Sequence, residues 1–159
     1  MARMVCIWAV AVALTGIARA DAVDPIRLTP SEITAREAGG AGAGTSGVAG
    51  IRTTVLAGDP AKPGLYTIRL SIPANTSIQA HTHRDDRSAY VVSGTWYFGY
   101  GREAKETAAS PLPPGSFYTE PAGAAHFALT KFEPVVVYIT GLGPTDTVYV
   151  NATNDPRAR

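Results

Sequence analysis

The chain holds only three histidines, His81, His83 and His126, and two of them stand one residue apart in QAHTHRDDRSAYVVSG, residues 79–94. An imidazole nitrogen ligates transition metals and carries protons near neutral pH. On a β-strand, residues i and i+2 share a face, so His81 and His83 project together while Thr82 points away. Their β-carbons then lie about 6–7 Å apart. Side chains of that reach converge on one ion at roughly 2.0–2.1 Å per nitrogen. A third nitrogen has to come from a distant strand, and His126 is the remaining histidine. The competing reading makes each ring an ordinary polar side chain satisfied by hydrogen bonds. Unsatisfied inward rings would cost about 1–3 kcal/mol each, which one shared ion would remove.

Strands must do the positioning, and residues 51–150 have the pattern for them. IRTTVLAG, GLYTIRLSIP, RSAYVVSGTWYFGYG, GSFYTEP, HFALT, PVVVYITG and DTVYVNAT are short runs rich in β-branched and aromatic residues. Gly, Pro, Asp or Asn bounds each run, and no helical periodicity intervenes. Such a series predicts an all-β sandwich or barrel. Ser93-Gly94 reads as a tight hairpin turn, and GREAKETAASPLPPG, residues 101–115, as an exposed loop. Ahead of the strands, Thr29 and Pro30 have the types of an N-cap and first position of a short helix. EAGGAGAGTSGVAG, residues 37–50, reads as a flexible connector or extended edge segment. The division is therefore a leader at 1–20, an N-terminal extension and Gly/Ala-rich connector at 21–50, a β-domain at 51–150 and a frayed tail at 151–159.

His126 closes GSFYTEPAGAAH, residues 115–126, with Gly115, Pro121, Gly123 and His126 spaced G-x5-P-x-G-x2-H. That spacing resembles the second motif of the cupin superfamily. Residues 81–94 resemble the latter part of its first motif, G-x5-H-x-H-x3-4-E-x6-G, through His81, His83, position 87 and Gly94. Three positions depart: Ala74 or Asn75 falls where the leading glycine is usual, Arg87 where the glutamate is, and Thr130 where asparagine is often found. The resemblance covers residues 51–150. It implies a cupin jelly-roll β-barrel (double-stranded β-helix), usually a homodimer, with a divalent metal inside its mouth held by His81, His83 and His126.

Arg87 stands at the usual glutamate ligand position, and a guanidinium cannot lose its proton to become a ligand. In one reading the pairing shifts by a residue, Asp86 or Asp85 supplies the oxygen, and Arg87 turns outward. In the other, three histidines suffice and Arg87 stays at the site, neutralised by a neighbouring Asp and suited to a carboxylate or enolate. The resemblance adds precedent, since the family includes three-histidine oxygenases lacking the glutamate. An ordinary surface ion pair of Arg87 with Asp85 or Asp86 is the plain alternative. Tyr118 and Glu120, just ahead of the second motif, are candidate acid–base or supporting groups. The aromatics Trp96, Tyr97, Phe98, Tyr100, Phe117, Tyr118, Phe127 and Tyr138 alternate along strands, so one face of them fills the core, with a minority left to wall the ligand cavity.

The first twenty residues, MARMVCIWAVAVALTGIARA, have a basic start at Arg3, an apolar run and Ala18-Arg19-Ala20 before Asp21. That is the layout of a secretory signal peptide, with an apolar run too short to span a bilayer. Cleavage would leave 139 residues carrying 12 basic and 13 acidic side chains, enough for one domain. The near-zero charge argues against nucleic acid or an anionic membrane as partner. Cys6, the single cysteine, lies inside the leader, so the mature chain has no disulfide or thiolate ligand. The sequence thus predicts a periplasmic or secreted metal-binding cupin. Its ion would be iron(II), zinc, manganese, nickel or copper, and its partner a small oxygen-bearing acid or diketone undergoing metal-assisted, possible dioxygenase-type oxidoreductase chemistry. A non-catalytic metal or ligand binder is the alternative, and a metal-free structural barrel a third.

Overall fold

The computed structural model describes residues 25–39 and 42–158; the expected leader lies outside them. Helix α1, Pro30–Ala35, begins as its residue types predict. Thr29 accepts from the Glu32 backbone N–H, the Glu32 carboxylate accepts from the Thr29 N–H, and Pro30 sits in the first turn. Eleven strands follow: β1 Ala38–Gly39, β2 Arg52–Ala57, β3 Gly64–Ile72, β4 Ser77–Thr82, β5 Arg87–Ser93, β6 Trp96–Tyr100, β7 Ser110–Leu112, β8 Phe117–Glu120, β9 His126–Leu129, β10 Val135–Gly143 and β11 Val148–Tyr149. They form two antiparallel sheets ordered β1-β2-β3-β10-β5-β8 and β11-β4-β9-β6-β7. This is the expected all-β jelly roll.

The alternation of β3 and β10 builds the interior. Tyr66, Ile68, Leu70 and Ile72 on β3, with Val135, Val137 and Ile139 on β10, all point inward and are buried. Ile78, Trp96, Phe98 and Ala128 meet them from the second sheet. Each large side chain so buried contributes roughly 1.5–3 kcal/mol relative to exposure.

Three expectations are corrected by the tertiary structure, and one open choice is narrowed. Ser93-Gly94 does not join paired strands: β5 and β6 lie in different sheets, and the turn is a corner between them. Gly94 has φ +72°, and a β-carbon there would collide with the Pro134 carbonyl. Within the presumed loop 101–115, Ser110–Leu112 form β7 against β6. Of the two readings of the Gly/Ala-rich stretch, the extended edge segment is the one that Ala38–Gly39 form, as β1 at the sheet edge beside β2, and the stretch then buries Thr45 and Ser46. The tail folds back in two 3₁₀ turns, with Arg157 donating to the Thr147 carbonyl at 2.9 Å. Composition could not reveal these contacts, because each depends on a distant surface. Among the described residues no helix is long and apolar enough to cross a membrane.

Candidate metal centre

The three imidazoles meet. His81 is on β4, His83 just beyond its end, and His126 starts β9. Pairing of β4 with β9 slips between Ile78 and His81, so that His81 stands directly opposite His126. That bulge also breaks the alternation of the strand: Ile78 is buried before it, and Ala80 within it and His81 after it are then buried in succession. The turn after β8 approaches from the other side, Gly123 donating its N–H to the His83 carbonyl at 2.8 Å. Ring centroids are 4.4 Å apart for His81–His126, 4.9 Å for His81–His83 and 5.1 Å for His83–His126. One nitrogen from each ring lies within 4.8 Å of the other two, a set that could hold a metal ion.

Each ring is oriented the same way. Nδ1 faces a backbone carbonyl in all three: Gln79 O at 2.7 Å for His81, Asp146 O at 2.5 Å for His83 and Ala124 O at 3.0 Å for His126. A carbonyl only accepts, so Nδ1 carries the hydrogen and Nε2 presents a lone pair. Burial is the main cause that lowers the pKa of His81, to about 4, and of His83, to about 2, and it lowers that of His126 as well. The Arg87 charge adds to the effect at His83. Neutral imidazoles in the ligand tautomer are what a transition ion requires. His126 Nε2 is buried with no hydrogen-bond partner, an orphaned acceptor that an ion would satisfy. The residues fit a metal.

Arg87 does not turn outward. It is 5% exposed and forms a buried ion pair with Glu120, its cross-strand neighbour on β8. Its Nε donates to Glu120 Oε2 at 2.6 Å, Nη1 to the Gly44 carbonyl at 2.9 Å, and Nη2 to His83 Nε2 at 2.6 Å. Burial alone would raise the Glu120 pKa, but the Arg87 charge and its hydrogen bond outweigh it and hold the carboxyl at about 2. Burial likewise works against the Arg87 cation, and Glu120 overrides it. The countercharge is therefore Glu120, not Asp85 or Asp86. Asp86 is exposed and accepts from the Ala122 N–H. Asp85 is buried but committed to the Tyr66 hydroxyl at 2.8 Å and the Thr145 hydroxyl at 2.5 Å. Neither supplies the oxygen that the shifted-pairing reading asks of it.

Tyr118 faces inward at 7% exposure against the Phe98 ring, centroids 4.3 Å apart, and burial raises its pKa. It lines the cavity beside the histidines. The two motif departures outside the centre have local reasons. Asn75 takes the leading-glycine position with φ +54°, the left-handed region that asparagine tolerates best after glycine. Thr130 accepts from the Thr76 N–H and donates to the Pro73 carbonyl at 2.6 Å, tying β9 to the turn before β4. Sequence reasoning missed Gly44–Ser46, which close the mouth through Arg87 and through the Tyr149 hydroxyl on Ser46 O at 2.6 Å. The enclosed space is about 20 Å³, room for an ion or a water.

The family model described as ChrR cupin-like domain matches residues 44–146. No curated protein matches the sequence significantly. Among solved structures, the polyketide cyclase RemF from Streptomyces resistomycificus is similar at TM-score 0.57 and 16% identity, over 67% of this chain and 75% of that one. A protein of unknown function with a cupin-like fold from Ralstonia eutropha is similar at 0.50 and 23% identity, over 61% of this chain and 57% of its own. An RmlC-like cupin from Shewanella frigidimarina aligns at 0.49 and 17% identity, over 58% of this chain and 76% of its own. At these identities the likeness is one of fold. The family match runs from the segment that caps the barrel to the residue whose carbonyl orients His83, and the chain belongs to the ChrR cupin-like family of the cupin superfamily.

Proposed function

We propose that this protein binds one divalent metal ion at His81, His83 and His126 and uses it on a small oxygen-bearing organic ligand, outside the cytoplasm. The shared tautomer carries the metal half: three buried rings give Nδ1–H to carbonyls and leave Nε2 for a common point. When bound, such an ion supplies Lewis acidity or redox chemistry. The chain's residues do the rest. Carbonyls of Gln79, Asp146 and Ala124 hold the rings, and the apolar walls formed by Ile78, Phe98 and Val137 keep bulk water out. Arg87 brings a fixed positive charge to the cavity wall, of use to a carboxylate or enolate. Arg87 Nη1 is held by the Gly44 carbonyl, so a ligand oxygen that pairs with it would take the place of that carbonyl. A nitrogen-rich donor set does not choose among iron(II), zinc, manganese, nickel and copper.

A second reading, a metal-holding protein without turnover, is favoured by the small cavity and by Arg87 being already engaged with Glu120. Elemental analysis of the purified wild type beside His81→Ala and His126→Ala tests the metal half; a wild type as metal-poor as the variants overturns it. Oxygen uptake with a panel of diketones and α-hydroxy or α-keto acids then separates the two readings. Export is supported by the leader pattern at residues 1–20, and N-terminal sequencing of protein from the periplasmic fraction should begin at Asp21.

A further inference from the structure

We infer that Glu120 is the oxygen ligand of this metal centre, supplying from β8 the carboxylate that the cupin motif carries at the position of Arg87. The inference rests on the metal reading above and adds a fourth protein donor to it. Glu120 Oε2 lies 3.7 Å from His83 Nε2 and 3.7 Å from His126 Nε2. Because those rings are neutral, neither approach is an ion pair. Donors around one ion with bonds of about 2.0–2.2 Å stand roughly 3–3.6 Å apart. Oε2 is therefore within a few tenths of an ångström of a ligand's separation from two of the three nitrogens.

The residue types around it leave no rival. Both Asp85 oxygens are taken by Tyr66 and Thr145, and Asp86 is exposed. Among the described residues, Glu120 is the carboxylate near both His83 and His126. Strand register explains the exchange of positions. Arg87 and Glu120 are direct partners across β5 and β8, and both point inward. Cation and anion can therefore trade strands while the barrel keeps one carboxylate at its mouth. Arg87 Nη2 meanwhile bridges His83 Nε2 and Glu120 Oε2, two of the acceptors that an ion would bridge. A bound ion would compete with that one N–H, while Nε on Glu120 and Nη1 on Gly44 anchor the guanidinium independently of it. As a ligand the Glu120 carboxylate would offset part of the ion's charge in a buried site, where repulsion from Arg87 would otherwise be strongest.

The test is Co²⁺ binding by full-length protein stripped with chelator, read by calorimetry and by the visible d–d spectrum. Glu120→Gln should bind at least about tenfold more weakly and give a d–d envelope shifted from that of the wild type. Removing Glu120 also frees the Arg87 charge, so the double variant Arg87→Gln/Glu120→Gln, which leaves no unpaired charge, decides between the two causes. It should stay as weak as Glu120→Gln with the same altered spectrum, while Arg87→Gln alone keeps wild-type affinity or better. Recovery of wild-type affinity and spectrum in the double variant would overturn the assignment, leaving Glu120 as a mere countercharge. So would a Glu120→Gln protein that matches the wild type. A wild type that takes up no Co²⁺ would instead sink the metal reading itself.

Discussion

Arg87 and Glu120 pair directly across β5 and β8, at 5% and 4% exposure. Neither can be lost alone without stranding a charge, and stranded buried charges cost about 3–5 kcal/mol. Urea denaturation of chelator-treated protein should therefore show Arg87→Met destabilised by about that much. The double variant Arg87→Met/Glu120→Gln should recover most of the loss. Equal stability of Arg87→Met and wild type would mean that water reaches Glu120. The same logic explains why the histidines need no protonation to be comfortable. Their Nδ1–H groups are satisfied by carbonyls, and Nε2 of His126 is buried without a partner.

Strands add constraints that single residues cannot express. β10 passes so close to the Asp85–Tyr66 cluster that a β-carbon on Gly141 would lie 2.5 Å from Asp85 Oδ2 and 2.5 Å from the Tyr66 hydroxyl. Burial pushes the Tyr66 pKa up to about 12, so the hydroxyl keeps its proton and its bond to Asp85 at any ordinary pH. Gly141→Ala should break that bond and lower stability by about 1–3 kcal/mol, visible as a fall in Tm. A second element-level device is Glu37, which joins the N-terminal segment to Arg69 of β3 at 2.8 Å and Arg52 of β2 at 3.2 Å. Burial works to raise its pKa, but hydrogen bonds from Arg69, Ser71 and Arg52 win and lower it below the ordinary 4.5. A depressed carboxyl stabilises the fold fully above its unfolded value and loses that contribution as pH falls through its folded value. Acid titration of stability should therefore fall less steeply below pH 4.5 in Glu37→Gln than in wild type.

At the scale of the molecule, the barrel is closed by its own flanks. Residues 44–46 lie across the mouth, and Arg157 from the tail lies against Gly47, whose β-carbon would be 2.8 Å from the Arg157 Cγ. Beyond these contacts the cover hangs on side-chain bonds to two carbonyls, from Arg87 to Gly44 and from Tyr149 to Ser46. Tyr149→Phe removes one, worth about 1 kcal/mol or a fivefold change in opening. Hydrogen exchange at residues 44–48 should quicken by about that factor, and amides of β3 and β10 should stay unchanged. Exchange that quickened equally in the core would show that Tyr149 supports the whole barrel instead.

Strand content, the jelly-roll class and the three imidazoles were legible in the chain. Alternation and turn residues are local properties, and a motif spacing is a count along the sequence. His81 and His83 follow from the two-residue period of a strand, and His126 from its place after Pro121 and Gly123. The sign of the charge at position 87 was equally plain, but its partner was not. Glu120 is 33 residues away, and only antiparallel register sets it opposite Arg87. For the same reason Ser93-Gly94 passed for a hairpin, and the choice between connector and edge segment stayed open for the Gly/Ala-rich stretch. Local composition determined which side chains could do chemistry. Tertiary pairing decided which of them share the cavity, which charge neutralises which, and how little room is left between them, because those depend on surfaces brought together from opposite ends of the chain.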